Sequence, residues 1–208
     1  MLILLKGNRV IDNPFRQHLP KFVQPLIAFY KFLGLSPNQI SILSLFISFY
    51  CLWLIISDQL ILALIVWWAG RLLDGTDGIY ARQTHQASAF GAYLDIVCDM
   101  ASYSLVVIGL SVTFPEFQMQ WMLMVFFYVL CIASALSLGA LEAEHGNTKD
   151  NRGLRLGAGL AEGGETGIAY SVFFVFPQYL SITTWVWVAI LFTTVVSRTI
   201  LAHSILKR

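Results

Sequence analysis

Six apolar runs of about twenty residues follow one another from Pro37 to the C-terminus, and they limit what this chain can fold into. A run of that length crosses the hydrocarbon of a bilayer as an α-helix. Inside hydrocarbon every backbone polar group must be satisfied within its own segment, which leaves helices as the solution for an open chain. The expected spans cover about 37–56, 59 to the Asp74–Arg82 segment, 88–112, 119–141, 156–176 and 182–205. Composition agrees, with 57% hydrophobic and 12% charged residues and a mean hydropathy of +0.70, whereas a soluble domain is about a quarter charged. The expected fold class is an all-α integral membrane protein with six transmembrane helices and an interfacial amphipathic helix at the N-terminus. Its lipid partner is the bilayer itself.

Residues 1–36 read as a cytosolic or interfacial segment and 37–208 as one six-helix transmembrane catalytic domain. Between Lys21 and Leu33, the residues Phe22, Leu26, Phe29 and Leu33 recur at helical spacing, with Val23, Ile27 and Tyr30 alongside. That pattern suits a helix lying in the membrane interface and equally a helix packed on the spans. Ser36-Pro37-Asn38-Gln39 is a helix start, in which Ser36 caps, Pro37 fits the first turn and Gln39 completes a capping box. Lysine and arginine set the orientation. Segments 57–59, 113–118 and 177–181 contain none, whereas residues 1–36, the loop from Glu142 to Arg155 and the C-terminal Lys207-Arg208 are basic. Both termini are therefore expected in the cytosol. Met1–Leu5 is apolar but short, with no charged n-region or cleavage site, so no signal peptide is expected. The net charge is +1 with no basic stripe, which argues against nucleic acid as a partner. Cys51, Cys98 and Cys131 sit in apolar runs and read as buried free thiols.

Polar residues are concentrated between Asp74 and Asp99. Asp74, Asp77, Gly78, Ala81 and Arg82 fall at i, i+3, i+4, i+7 and i+8, and Gly91, Asp95 and Asp99 at i, i+4 and i+8, so each set shares a helical face. The segment between them is polar and small enough to turn. With the turn near His85–Gln86, Asp77 is level with Asp95, and Asp74 with Asp99 about 6 Å deeper at the helical rise per residue. Four carboxylates converging in a low-dielectric space must share protons or hold cations. Oxygen-only ligation favours a hard ion such as Mg²⁺, Mn²⁺ or Ca²⁺ over zinc. The planar fork of Arg82 suits a phosphate.

The pattern D-x2-D-G-x2-A-R-x8-G-x3-D-x3-D over these residues resembles the signature of the CDP-alcohol phosphotransferase (CDP-alcohol phosphatidyltransferase) family, bacterial six-span type, with every fixed position matched. The resemblance implies two divalent ions, Mg²⁺ or Mn²⁺, held by Asp74, Asp77, Asp95 and Asp99, with Asp99 as general base. It implies a nucleotide and pyrophosphate site around Asn38, Asp74, Gly78, Ala81, Arg82 and Gly91. It implies transfer of a phosphatidyl group from a CDP-linked lipid to the hydroxyl of a small alcohol, with release of CMP. The short chain resembles the bacterial enzymes more than the longer eukaryotic ones, which points to CDP-diacylglycerol as donor. A homodimer is implied by the resemblance alone; the expected location is the bacterial inner membrane, and the Lys and Arg distribution that places both termini in the cytosol also opens the motif hairpin to the cytosol.

The acceptor is less constrained. Arg152, Arg155 and Arg198 would suit a phosphorylated acceptor. Glu162 and Glu165 share a face at i, i+3 and would tolerate serine or a polyol, or else pair with Arg155 and Arg198. Glu144, His145 and Asp150 lack firm ligand spacing, and His18, His85 and His203 stand alone. Trp67, Trp68, Trp121, Trp185 and Trp187 read as packing and interface anchors. Two rival readings remain. A cation transporter would use the intramembrane carboxylates but has no need of Arg82 or the spaced glycines. A family member acting only as an assembly partner would have no need of an intact Asp99.

Overall fold

The computed structural model of the chain describes residues 23–144 and 163–206. Among these residues there is no strand. The elements are α1 (Gln24–Phe32), α2 (Pro37–Ile56), α3 (Leu60–Gln83), α4 (Ala89–Thr113), α5 (Gln118–Glu144), α6 (Gly163–Val175) and α7 (Leu180–Leu206), with short 3-10 turns at Pro115–Phe117 and Pro177–Tyr179. His18, His145, Asp150, Arg152, Arg155, Glu162, Lys207 and Arg208 lie outside the described residues, as does the first part of the expected fifth span.

Four helical segments are long and apolar enough to cross a membrane: Pro37–Ile56, Ala89–Thr113, Pro115–Leu141 and Pro177–Leu206. The expectation of six is met only to that extent. Helix α3 has 24 residues, but Arg71, Asp74 and Asp77 interrupt it and Arg82 lies near its end, so apolarity alone does not qualify it. Helix α6 has 13 described residues, too few for the thickness. The protein is an all-helical integral membrane protein.

The chain groups into two compact units, Met1–Cys51 with Ile65–Tyr103 and Leu52–Leu64 with Ser104–Arg208. In the first unit α1 packs through Val23, Ile27 and Tyr30 onto Ile40 and Tyr80. Phe29, Phe32 and Leu33 of the same helix remain exposed. The buried stripe is thus narrower than the apolar arc of the sequence, and the rest of that arc faces away from protein. The Tyr30 hydroxyl donates to Thr76 Oγ1 at 2.9 Å, since the Thr76 hydrogen is directed at the Leu72 and Leu73 carbonyls. Burial raises the Tyr30 pKa against that opposing hydrogen bond, which keeps the hydroxyl a donor at neutral pH.

Helix α2 starts on the expected capping box: Ser36 N donates to Gln39 Oε1 at 2.8 Å and Gln39 N to Ser36 Oγ at 3.3 Å. Small residues then let the helices of this unit approach, as they do where lipid removes the hydrophobic drive between spans. Ser44 Oγ donates to the Gly70 carbonyl at 3.0 Å, and Ser48 Oγ donates to Ser102 Oγ at 2.8 Å.

In the second unit α5 packs along α7, and α6 contacts α7. The hydroxyl of the half-buried Tyr128 accepts from Trp187 Nε1 at 2.8 Å and from the Tyr170 hydroxyl at 3.0 Å, joining these three helices at one point. Both 3-10 turns begin with Phe-Pro, and Trp121 Nε1 closes over the first by donating to the Phe114 carbonyl at 2.9 Å.

Candidate active site

Two helix ends and a five-residue turn assemble the polar face. Helix α3 stops at Gln83 and α4 begins at Ala89. His85 takes a left-handed conformation, φ 57°, and Gln86 N reaches back to the Ala81 carbonyl at 2.8 Å. This is the Schellman closure that satisfies the last carbonyls of a helix. Ser88 then caps α4 by accepting from Gly91 N at 3.0 Å. The reversal brings residues counted back from the turn on α3 level with residues counted forward on α4.

The deeper level closes on Arg71. Its Nη1 donates to Asp74 Oδ2 at 3.3 Å and makes a short bond to Asp99 Oδ1, so one nitrogen spans two carboxylates 25 residues apart in sequence. The guanidinium lies between two rings, 4.8 Å from the Trp67 centroid and 5.1 Å from that of Tyr103. The Tyr103 hydroxyl also hydrogen-bonds Asp99. Side-chain exposures are 8% for Arg71, 15% for Asp74 and 26% for Asp99. Asp74 Oδ1 is buried without a hydrogen-bond partner.

At the shallower level Asp77 is buried and accepts a short hydrogen bond from the Ser41 hydroxyl of α2. Asp95 is half-buried. Asn38, in the first turn of α2, approaches α4 at Gly91, where a Cβ would meet Asn38 Oδ1 at 3.1 Å and Ser88 Oγ at 3.2 Å. Only glycine leaves both atoms in place there. At Gly78 the same addition would meet Arg82 Nη1 at 3.3 Å, the movable end of a long side chain. Arg82 is exposed and Ala81 is buried.

Asn38, Asp74, Asp77, Gly78, Ala81, Arg82, Gly91, Asp95 and Asp99 thus all belong to the first unit. Glu165 and Arg198 belong to the second. Glu165 is exposed beside a cavity of about 320 Å³ lined by Ile168, Val172, Thr183, Val186 and Trp187. Arg198 is buried and donates to the Cys131 carbonyl at 2.6 Å and to Ser134 Oγ at 3.4 Å, so it fastens α7 to α5. Arg152, Arg155 and Glu162 fall outside the described residues. Two residues of the site, Arg71 and Ser41, stand outside the motif spacing. The signal for Arg71 was its place three residues before Asp74 on the same face; nothing local linked Ser41 to Asp77.

Among the described residues no three histidine, cysteine or acidic side chains stand together as a ready metal cage. The donor set still suits a hard cation: carboxylate oxygens alone, one of them buried and unsatisfied.

The sequence profile of the CDP-alcohol phosphatidyltransferase family matches residues 34–197. The inner membrane protein YnjF of Escherichia coli is 31% identical over 174 residues, 79% of this chain and 82% of that one. The archaetidylinositol phosphate synthase of Pyrococcus horikoshii is 35% identical over 95 residues, 44% of this chain and 50% of that protein. The phosphatidylinositol phosphate synthase PgsA1 of Mycobacterium tuberculosis with CDP-DAG bound superposes with a TM-score of 0.65 at 26% identity, covering 88% of this chain and 94% of that one. The same protein in complex with manganese and citrate gives a TM-score of 0.62. With four-fifths of its length matched and all eight signature residues in place, this chain belongs to the CDP-alcohol phosphatidyltransferase family.

Proposed function

We propose that this protein transfers a phosphatidyl group from CDP-diacylglycerol to a hydroxyl of a small alcohol and releases CMP. The observation that carries the reading is the pairing of the two halves of the signature within one unit, Asp74 and Asp99 meeting at a single nitrogen. Support comes from PgsA1, whose similar fold was seen with CDP-DAG bound.

Asp74, Asp77, Asp95 and Asp99 are the residues that would hold a divalent cation, Mg²⁺ or Mn²⁺, and two such ions fit the family resemblance. PgsA1 in complex with manganese supports this choice. When bound, such an ion neutralises charge on the pyrophosphate. The chain's own residues do the rest. Gly91 leaves a gap beside Asn38, and the exposed Arg82 offers a bidentate donor to a phosphate at the same end of the helix pair. Asp99, with about a quarter of its side chain exposed, accepts the proton of the incoming hydroxyl as general base. The hydroxyl oxygen bonds to the lipid-side phosphorus, the bond from that phosphorus to the bridging oxygen breaks, and CMP departs with the oxygen. The lipid chains stay in the bilayer throughout.

The acceptor class is a small polyol or its phosphate. Arg152, Arg155, Glu162 and Glu165 are the proposed contacts, while Arg198 is committed to the α5 backbone. Six spans, cytosolic termini, a homodimer and placement in a bacterial inner membrane complete the proposal.

The test is CMP release from CDP-diacylglycerol by purified protein with Mg²⁺ or Mn²⁺, against inositol, inositol phosphate, glycerol 3-phosphate and serine. Asp99→Asn is expected to lower acceptor-dependent turnover by about a hundredfold or more. Chelation with EDTA is expected to abolish turnover and readdition of metal to restore it. No binding of CDP-diacylglycerol at all would defeat the transferase reading.

A further inference from the structure

We propose that Arg71 is a positioning residue: it holds Asp74 and Asp99 together, and it competes with a divalent cation for their oxygens. The inference rests on the reading above that these aspartates hold the metal. It goes beyond that reading because the signature has no fixed residue at position 71.

Three observations carry it. The first is the shared donor. Arg71 Nη1 reaches Asp74 Oδ2 and Asp99 Oδ1 at once, so it engages oxygens that a cation held by these two carboxylates would also need. The second is confinement. The guanidinium is 8% exposed and held between the faces of Trp67 and Tyr103, so packing as well as charge fixes it there. Its Nε and Nη2 are buried without hydrogen-bond partners among the described residues, which leaves the two aspartates as its hydrogen-bonding acceptors. The third is charge. One guanidinium offsets one of two carboxylates, and Asp74 Oδ1 remains unsatisfied, so the pair retains attraction for a stronger cation. A divalent cation held by Asp74 and Asp99 would face the charge of Arg71, which would have to release at least one of the two carboxylates.

The experiment is a titration of purified, EDTA-treated and dialysed protein with Mn²⁺, following free Mn²⁺ by its paramagnetic resonance signal, together with thermal unfolding with and without Mn²⁺. Two neutral variants, Arg71→Met and Arg71→Gln, guard against one failing to fold, and Arg71→Lys restores the charge. Removing the competing charge is expected to tighten Mn²⁺ binding by about tenfold or more in both neutral variants. Arg71→Lys is expected to stay within about threefold of the wild type, because it restores a point charge without the planar fork. Without metal, the neutral variants should unfold at lower temperature and then gain more from Mn²⁺ than the wild type does. Neutral variants that bind Mn²⁺ no more tightly than the wild type would overturn the proposal, even if they unfold earlier, since that is what a purely structural arginine predicts. A wild type that binds no Mn²⁺ would instead overturn the metal reading beneath it.

Discussion

Asp77 is 4% exposed, and across helices it accepts a hydrogen bond from one serine hydroxyl, that of Ser41, 36 residues away. A buried carboxylate deprived of such a partner bears its desolvation without return. Ser41→Ala should therefore cost about 1–3 kcal/mol, read as a lower unfolding temperature in detergent, and Ser41→Thr should recover most of it. A Ser41→Ala protein as stable as the wild type would mean that Asp77 finds its satisfaction elsewhere. The contrast between Asp77 and Ser41 also shows how far single residues were legible. Each pair of aspartates is legible by counting along its own helix, because three- and four-residue spacings are properties of a single helix. Ser41 lies on a different helix, and no local pattern connects it to Asp77. Arg71 falls between these cases: its bond to Asp74 is a local i, i+3 contact, and its bond to Asp99 follows from level-counting across the hairpin, provided the turn is placed correctly.

Element boundaries were most legible where a side chain marks them. Ser36 and Ser88 cap α2 and α4 within a residue of expectation, since a cap is written in the few residues that make it. Helix α1 was less legible, because an apolar arc in sequence does not say which part meets protein: Val23, Ile27 and Tyr30 are buried and Phe29, Phe32 and Leu33 are not. The turn Thr84–Ser88 matters most to the site, for it sets which aspartate faces which. Its His85 holds φ 57° with a Cβ present, at a cost of about 1–2 kcal/mol for an ordinary L-residue. His85→Gly relieves that cost while loosening the unfolded chain, so it should leave the unfolding temperature unchanged or slightly raised, with CMP release retained. His85→Val should lower stability by at least about 1 kcal/mol, as β-branched residues resist this conformation most. Loss of turnover in a stable His85→Gly protein would assign the imidazole to the chemistry rather than to the turn.

For the whole molecule, composition and the length of the apolar runs sufficed for an all-helical membrane protein, and four segments meet that description by themselves. Of the helices that do not, α3 is the one carrying Arg71, Asp74 and Asp77, so the residues that make the site also hide its helix from a test of apolarity. The proposed orientation predicts that green fluorescent protein fused after Arg208 will fluoresce in a bacterial host and that alkaline phosphatase fused there will be inactive; the reverse pattern would place the C-terminus outside. The breaks at 57–59, 113–118 and 177–181 all fall in the second unit, two of them built on Phe-Pro turns. None of them contains lysine or arginine. In the proposed orientation, trypsin applied to the side opposite the cytosol therefore finds no bond to cut in these breaks, and a protease-protection assay relying on it would score open water as shelter. Chymotrypsin, which accepts aromatic residues such as the exposed Tyr179, is the reagent that can tell the two apart.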